Sequence, residues 1–154
     1  MKTDYKLGDT LPDDTIYLGC INGVHSCVVP NQEMETMTWD AAHEKYGDAL
    51  PDRYECLMLY ELYLLKPELF NFGEIKAFWS ARRGSHDGAY CQWVDDGLQR
   101  NGYRDRELPV SPVRRFKSFS DLVIPSPLEQ EIAKLEEHTG LNLSNLKKFV
   151  RVEK

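Results

Sequence analysis

The chain has 154 residues, 25 acidic against 19 basic, and a net charge of −6 at neutral pH. That length fits one domain able to bury a core, and 42% hydrophobic with 29% charged residues excludes a wholly disordered chain. No apolar run approaches the length of a membrane span, and Met1-Lys2-Thr3-Asp4-Tyr5 lacks the apolar core of a secretory signal, so the expected compartment is the cytoplasm.

In chain order, residues 1–14 carry Gly8, Pro12 and several aspartates and read as a polar, loosely held arm. Thr15 to Ile21 and Val24 to Val29 flank Asn22-Gly23, the dipeptide that most readily takes positive φ at both central turn positions, so a β-hairpin is expected. A two-residue turn would set Cys20 opposite His25 and Cys27 opposite Leu18. Cys20 and Cys27 would then be same-face diagonal neighbours, too far apart for a disulfide. Pro30-Asn31 ends the second strand. Thr38 is a helix N-cap before Trp39-Asp40-Ala41-Ala42, with Gly47 as the stop. Asp52 and Glu55 form a capping-box pattern, and Leu57, Met58, Leu62 and Leu65 follow at helical spacing as the expected buried stripe, with Pro67 beyond.

From Lys76 the pattern changes to short strands and turns. Ala77 to Ala81 and Ala89 to Val94 read as strands, the latter with Cys91 and Trp93 on one face and Tyr90, Gln92 and Val94 on the other. Asp95-Asp96-Gly97 and Asn101-Gly102 read as turns, 103–109 as a polar loop, and Pro112 to Phe116 as the last strand. Ser126-Pro127-Leu128-Glu129 opens a helix carrying Leu128, Ile132 and Leu135 and ending at Gly140, with a shorter helix after Ser144. The layout is therefore an arm (1–14), a domain (15–118) and a helical C-terminal extension (119–154).

Charge is unevenly spread. Residues 1–75 hold 5 bases and 14 acids, whereas 76–117 hold 9 bases and 5 acids. No basic cluster is longer than a pair and the total is acidic, which disfavours nucleic acid. No basic amphipathic helix offers itself to a lipid surface.

The four cysteines (Cys20, Cys27, Cys56 and Cys91) match neither a Cys-x-x-Cys nor a zinc spacing, so free thiols, no metal and no cofactor are expected. Among the histidines His25, His43, His86 and His138, His43 adjoins Glu44, but adjacent helical residues do not face each other. Cys56 or Cys91 could serve as a nucleophile beside a histidine, yet both fall on expected core faces. Trp39, Trp79 and Trp93 could stack on a sugar or base, burial being the simpler role.

Five stretches line up in order: Met37-Thr38-Trp39-Asp40-x-Ala42, Leu50-Pro51-Asp52-Arg53-Tyr54-Glu55, Phe78-Trp79-Ser80-Ala81, Ala89-Tyr90-x-x-Trp93-x-Asp95-x-Gly97, and Pro112-Val113-Arg114-Arg115-Phe116. Over about residues 24–116 this pattern resembles the Lcl C-terminal-like domain family, a family of unknown function common in bacteria, phages and prophages. Ser80-Ala81 stands where members carry paired serines, and the chain after Phe116 lies beyond the pattern. The resemblance implies an α+β, C-type lectin-like fold: two helices packed on a small twisted, mainly antiparallel sheet, here with an added C-terminal helical tail. It grants no activity. Trp93-Val94-Asp95-Asp96 is the nearest approach to a lectin calcium strand, and no proline-containing carboxylate loop accompanies it.

The loops remain. Arg82 to Gly88 and Asn101 to Glu107 are polar, glycine-bearing and rich in arginine and tyrosine, residue types favoured at binding hot spots. By analogy with lectin-like folds, Arg82, Arg83, His86, Tyr103, Arg104 and Arg106 are the expected partner-binding residues, a solvated connector being the alternative. The function expected is a non-enzymatic protein-binding module, a phage or prophage accessory protein engaging a host factor or defence component. The alternatives are a glycan or small-ligand binder of a surface or virion structure and, behind it, a small thiol enzyme.

Overall fold

The chain divides after Leu122 into two units, Met1–Leu122 and Val123–Lys154. The computed structural model describes residues 3–30 and 33–122, all within the first unit. The tail helices expected after Ser126 and Ser144 lie outside the described residues. In chain order the elements are β1 (Ile16–Ile21), β2 (Val24–Val28), β3 (Thr36–Met37), α1 (Trp39–Tyr46), α2 (Arg53–Leu65), β4 (Ala77–Arg83), β5 (Gly88–Trp93), β6 (Gln99–Tyr103), β7 (Leu108–Pro109) and β8 (Arg114–Phe116). The architecture is α+β, with two helices and small sheets ordered β1-β2-β8, β3-β7 and β4-β5-β6, every pairing antiparallel.

The hairpin forms where Asn22-Gly23 places it, with φ of +51° and +80° at the two turn residues. Cys20 faces His25 as expected, but Cys27 faces Tyr17 rather than Leu18, because the register slips between Tyr17 and Gly19. That irregularity lets β1 press against α2. A Cβ on Gly19 would lie 2.8 Å from Met58 Sδ, so only glycine permits the approach. Residues 3–14 are tied to β1 rather than loose: Gly8 N–H donates to Tyr17 O and Tyr17 N–H to Asp9 O, both at 2.9 Å, and Leu11 is buried.

Both helix starts are as expected. Thr38 Oγ1 accepts from Ala41 N–H at 3.3 Å, and Gly47, at φ +51°, ends α1. Asp52 accepts from Glu55 N–H at 2.8 Å while Glu55 Oε1 accepts from Asp52 N–H at 3.0 Å. The buried stripe of α2 differs from the one expected. It runs Glu55, Cys56, Leu59, Leu62, leaving Leu57 44% and Leu65 58% exposed and Met58 half-buried. The inward face is the one that carries Glu55, whose carboxylate is bound from inside the fold (below).

The sheet β4-β5-β6 is covered on both faces. Phe78 and Val94 join Leu59, Leu62, Ile16, Leu18 and Val113 on the α2 side. Trp79, Ala89 and Cys91 join Trp39, Ala42, Leu50 and Leu108 on the α1 side. A third cluster, Leu11, Tyr17, Cys27, Phe116, Phe119 and Leu122, closes over the hairpin. Phe119 and Leu122 sit in a short 3₁₀ helix, Phe119–Leu122.

Three expectations near the loops are corrected. Asn101-Gly102 is not a turn but lies inside β6. Asn101 Nδ2 donates to Ser85 O and Ser85 Oγ, each at 3.1 Å, and Gly102 lies over Cys91 and Trp79, so tertiary contacts override the turn preference of the dipeptide. β4 continues to Arg83, held by the Arg83–Ala89 pairing, so Arg82 and Arg83 stand on a strand rather than in a loop. The last strand starts at Arg114, two residues after Pro112.

Candidate functional site

The expected binding residues are best placed from Trp39 outward. Its indole is buried where α1 meets β4: Nε1 donates to Ser80 O at 2.9 Å and its backbone N–H to Arg104 O at 3.1 Å. Arg83, from the end of β4, and Arg104, just past β6, each hold a guanidinium 5.9 Å from the indole centroid, at the outer reach of a cation–π contact. His43, one turn along α1, stacks at 4.9 Å. Arg104 is held further by Asp40, 3.8 Å from its Nη1, and by its N–H, which donates to Asp87 O at 3.2 Å. Its Nε is buried without a hydrogen-bond partner. Beside this pair runs a shallow polar groove lined by Thr38, Asp40, Asp87, Tyr103, Arg104 and Asp105, with Tyr103 78% exposed.

The other expected residues do not all join this cluster. His86 occupies the neighbouring tight turn, exposed and at φ +56°. Arg82, on the opposite face of β4 from Arg83, lines a separate depression with Asp52, Arg53, Tyr54, Leu57 and Ala81. Arg106 sits 5.6 Å from the Trp93 centroid, with Arg100 at 5.7 Å. Trp93 is thus a half-buried platform under two arginines rather than core, unlike Trp39 and Trp79. Six residues expected as one surface therefore fall into four places, with Arg83, Tyr103 and Arg104 together.

Sequence reasoning missed Asp40 and Asp87, which flank the groove. It also missed a polar assembly on the α2 side. Arg53 Nε donates to Gln99 Oε1 at 2.7 Å, Gln99 Nε2 donates to Arg53 O at 2.7 Å and to Gln92 Oε1 at 3.0 Å, and the Arg53 guanidinium lies 4.1 Å from the Tyr90 centroid. The signal was available: Gln92 stands among apolar residues on a strand face, and a buried amide requires partners.

The reactive groups behave as structure. Burial pushes the thiols of Cys27, Cys56 and Cys91 above their ordinary range, Cys56 well above it, while Cys20 is exposed. His25 meets the Tyr17 hydroxyl at 2.8 Å and stacks among Phe116 and Phe119. Among the described residues, no three His, Cys, Asp or Glu side chains converge as a metal site would require. In the Asp95-Asp96 turn, Asp96 accepts from Leu98 N–H at 3.0 Å and pairs with Arg100 at 2.6 Å.

The most tightly bound charges lie elsewhere. Glu55, 2% exposed, receives Arg115 Nε at 2.8 Å, Arg115 Nη2 at 2.5 Å and Ser26 Oγ at 2.6 Å. Arg115 also donates to the carbonyls of Asp48 and, at 3.0 Å, Leu50. Burial alone would raise the Glu55 carboxyl. Hydrogen bonds from Arg115, Ser26 and the Asp52 N–H more than reverse this and hold it below the usual glutamate range. All lone pairs of that carboxylate are committed, so the ion pair is a tie between α2 and β8 and not a reactive site.

No family model matches the sequence, and no curated protein is significantly similar to it.

Proposed function

We propose that this chain is a non-enzymatic protein-binding module of C-type lectin-like fold, a phage or prophage accessory protein that engages a host or defence protein from the Arg83–Tyr103–Arg104 surface. One observation carries the reading: two arginines converge on the Trp39 edge beside an aromatic ring that is 78% exposed. Arg83 has no carboxylate within ion-pair reach among the described residues, and arginine with tyrosine is the combination that concentrates binding energy at protein interfaces. The raised thiols speak against the enzyme alternative, because the thiolate is the nucleophile. Arg106, over Trp93, and His86, in the neighbouring turn, flank such a surface, and Arg82, on the other face of β4, does not belong to it.

The test is capture of partners by tagged protein from bacterial lysate, run beside Arg83→Ala/Arg104→Ala. A single stoichiometric protein, lost in the double variant, is expected. Undiminished capture by the variant refutes the assignment of the surface, and a clean lane refutes the protein-binding reading. A glycan-binding reading has one observation in its favour, the carboxylates of Asp40, Asp87 and Asp105 around Tyr103, since sugars are held by acids and an aromatic face together. Glycan-array binding lost on Tyr103→Ala would replace the first reading with this one.

A further inference from the structure

The sheet β4-β5-β6 ends on a strand, β6, that no other strand pairs with among the described residues. The free edge of β1 is occupied by the N-terminal segment through the Gly8, Asp9 and Tyr17 hydrogen bonds, and β4 donates Ala81 N–H to Pro51 O at 2.7 Å. β6 pairs with β5 alone among the described residues. Its hydrogen-bonding parity is fixed at both ends: Trp93 N–H donates to Leu98 O at 3.0 Å and Arg104 N–H to Asp87 O at 3.2 Å. In an antiparallel ladder the residues between must alternate, so Leu98, Arg100 and Gly102 turn their backbone groups toward β5, as Arg104 does its N–H. Gln99, Asn101 and Tyr103 turn theirs outward. Among the described residues, the one outward group with a partner is Tyr103 O, which accepts from Arg106 N–H at 3.1 Å.

Natural sheet edges are guarded by proline, lysine, a bulge or a covering segment, because a row of free N–H and C=O groups templates another strand. β6, Gln-Arg-Asn-Gly-Tyr, has none of these, and its register against β5 is unbroken. Its single charge is Arg100. The parity selects how a second β6 can add. Antiparallel pairing about a two-fold axis at Asn101 sets Asn101 against Asn101 of the second copy and Gln99 against its Tyr103, every one of them an outward residue. Arg100 then faces Gly102 of the second copy, so the two guanidiniums do not meet. A register placing Arg100 opposite itself would also pair outward residues, Gln99 with Asn101, but it sets the two guanidiniums side by side, and like charges directly opposite are destabilising. Leu98, 54% exposed, and Tyr103, 78% exposed, stand at the two ends of the strand, where a second copy covers them.

We propose that the chain forms a two-fold dimer by antiparallel pairing of β6 with β6 of a second copy, centred on Asn101, which joins two three-stranded sheets into one of six strands. The inference does not need the binding reading above, but the two share Tyr103, which a second copy would cover.

The experiment is light scattering of the full chain over rising concentration, with amide hydrogen exchange read at both extremes. A mass that climbs from 17.8 kDa to twice that value is expected, with the Asn101 and Tyr103 amides protected only at high concentration. Tyr103→Pro removes an outward N–H that bonds nothing among the described residues, and should return the mass to one chain while the far-ultraviolet circular dichroism is unchanged. Should that variant fail to fold, exchange at Asn101 in the parent protein decides the matter alone. A mass constant at one chain overturns the proposal. So does a dimer in which the Asn101 amide exchanges freely, because the copies would then meet elsewhere.

Discussion

The arginines of β8 and those around β4 and β6 belong to one residue type and lead opposite lives. Arg115 is spent inside the protein, gripping the buried Glu55 and two carbonyls, and Arg114 reaches Asp13 at 2.8 Å. Among the described residues, the guanidiniums of Arg83 and Arg106 meet only tryptophan rings. The difference is where the acids are. The acidic first half of the chain supplies Asp13, Asp48, Asp52 and Glu55 around β8, whereas around β4 and β6 the nearby acids pair with Arg100 and Arg104 and leave Arg83 and Arg106 without a carboxylate partner among the described residues. Arginine left over after a fold has neutralised its own carboxylates is available to another molecule, and arginine that closes a buried pair is not.

The comparison breaks first at Arg115. Arg115→Ala strands a buried carboxylate and should cost about 3–5 kcal/mol in denaturant unfolding, since removing one partner of a buried pair leaves the other charge uncompensated. A loss under ~1 kcal/mol would mean water reaches Glu55 and that the two groups of arginines do not differ in kind. Acid sharpens the point. Because the Glu55 carboxyl is held below its unfolded value, its contribution is complete above the ordinary glutamate pKa of about 4.3 and is lost as pH falls through the lower folded value. The unfolding midpoint should therefore drop more steeply on acidification in the parent than in Glu55→Gln/Arg115→Met. Equal slopes would remove Glu55 from the account. Arg114→Ala, whose guanidinium is 56% exposed, should cost no more than about 1 kcal/mol. Arg83→Ala/Arg106→Ala should fall within about 0.5 kcal/mol of the parent, the range of surface changes that disturb no buried network. A large loss there would show these side chains to be structural after all.

The chain announced its local structure and concealed its long-range ties. Asn22-Gly23, Thr38 and the Asp52/Glu55 pair each specify a turn or cap through their own backbone chemistry, and each is found where expected. Helix α2 carries two apolar stripes at helical spacing, and the one that turns inward, through Cys56, Leu59 and Leu62, shares its face with Glu55, which Arg115 holds from 60 residues away. Asn101-Gly102 shows the same hold of distant residues: the dipeptide favours a turn, but Ser85 and Trp79 hold it in a strand. At the site, arginine and tyrosine content pointed to Arg83, Tyr103 and Arg104. It could not tell that strand alternation sends Arg82 to the other face of the sheet, or that Arg106 covers Trp93. Asp40 and Asp87 gave no signal, being ordinary first-turn and turn acids until the fold sets them beside Arg104.

The packing of Phe119 and Leu122 bears on how the first unit can be isolated. Phe119 contacts Tyr5, Tyr17, His25 and Phe116, with ring centroids 4.5–5.9 Å apart. Leu122 is 1% exposed. An expression boundary or protease cut just after β8 would strip the cover from Leu11 and Tyr17 and leave an aromatic surface prone to clumping, whereas one placed beyond Leu122 keeps that plug. The useful frontier for dissecting this protein is set by those two side chains and not by the end of its last strand.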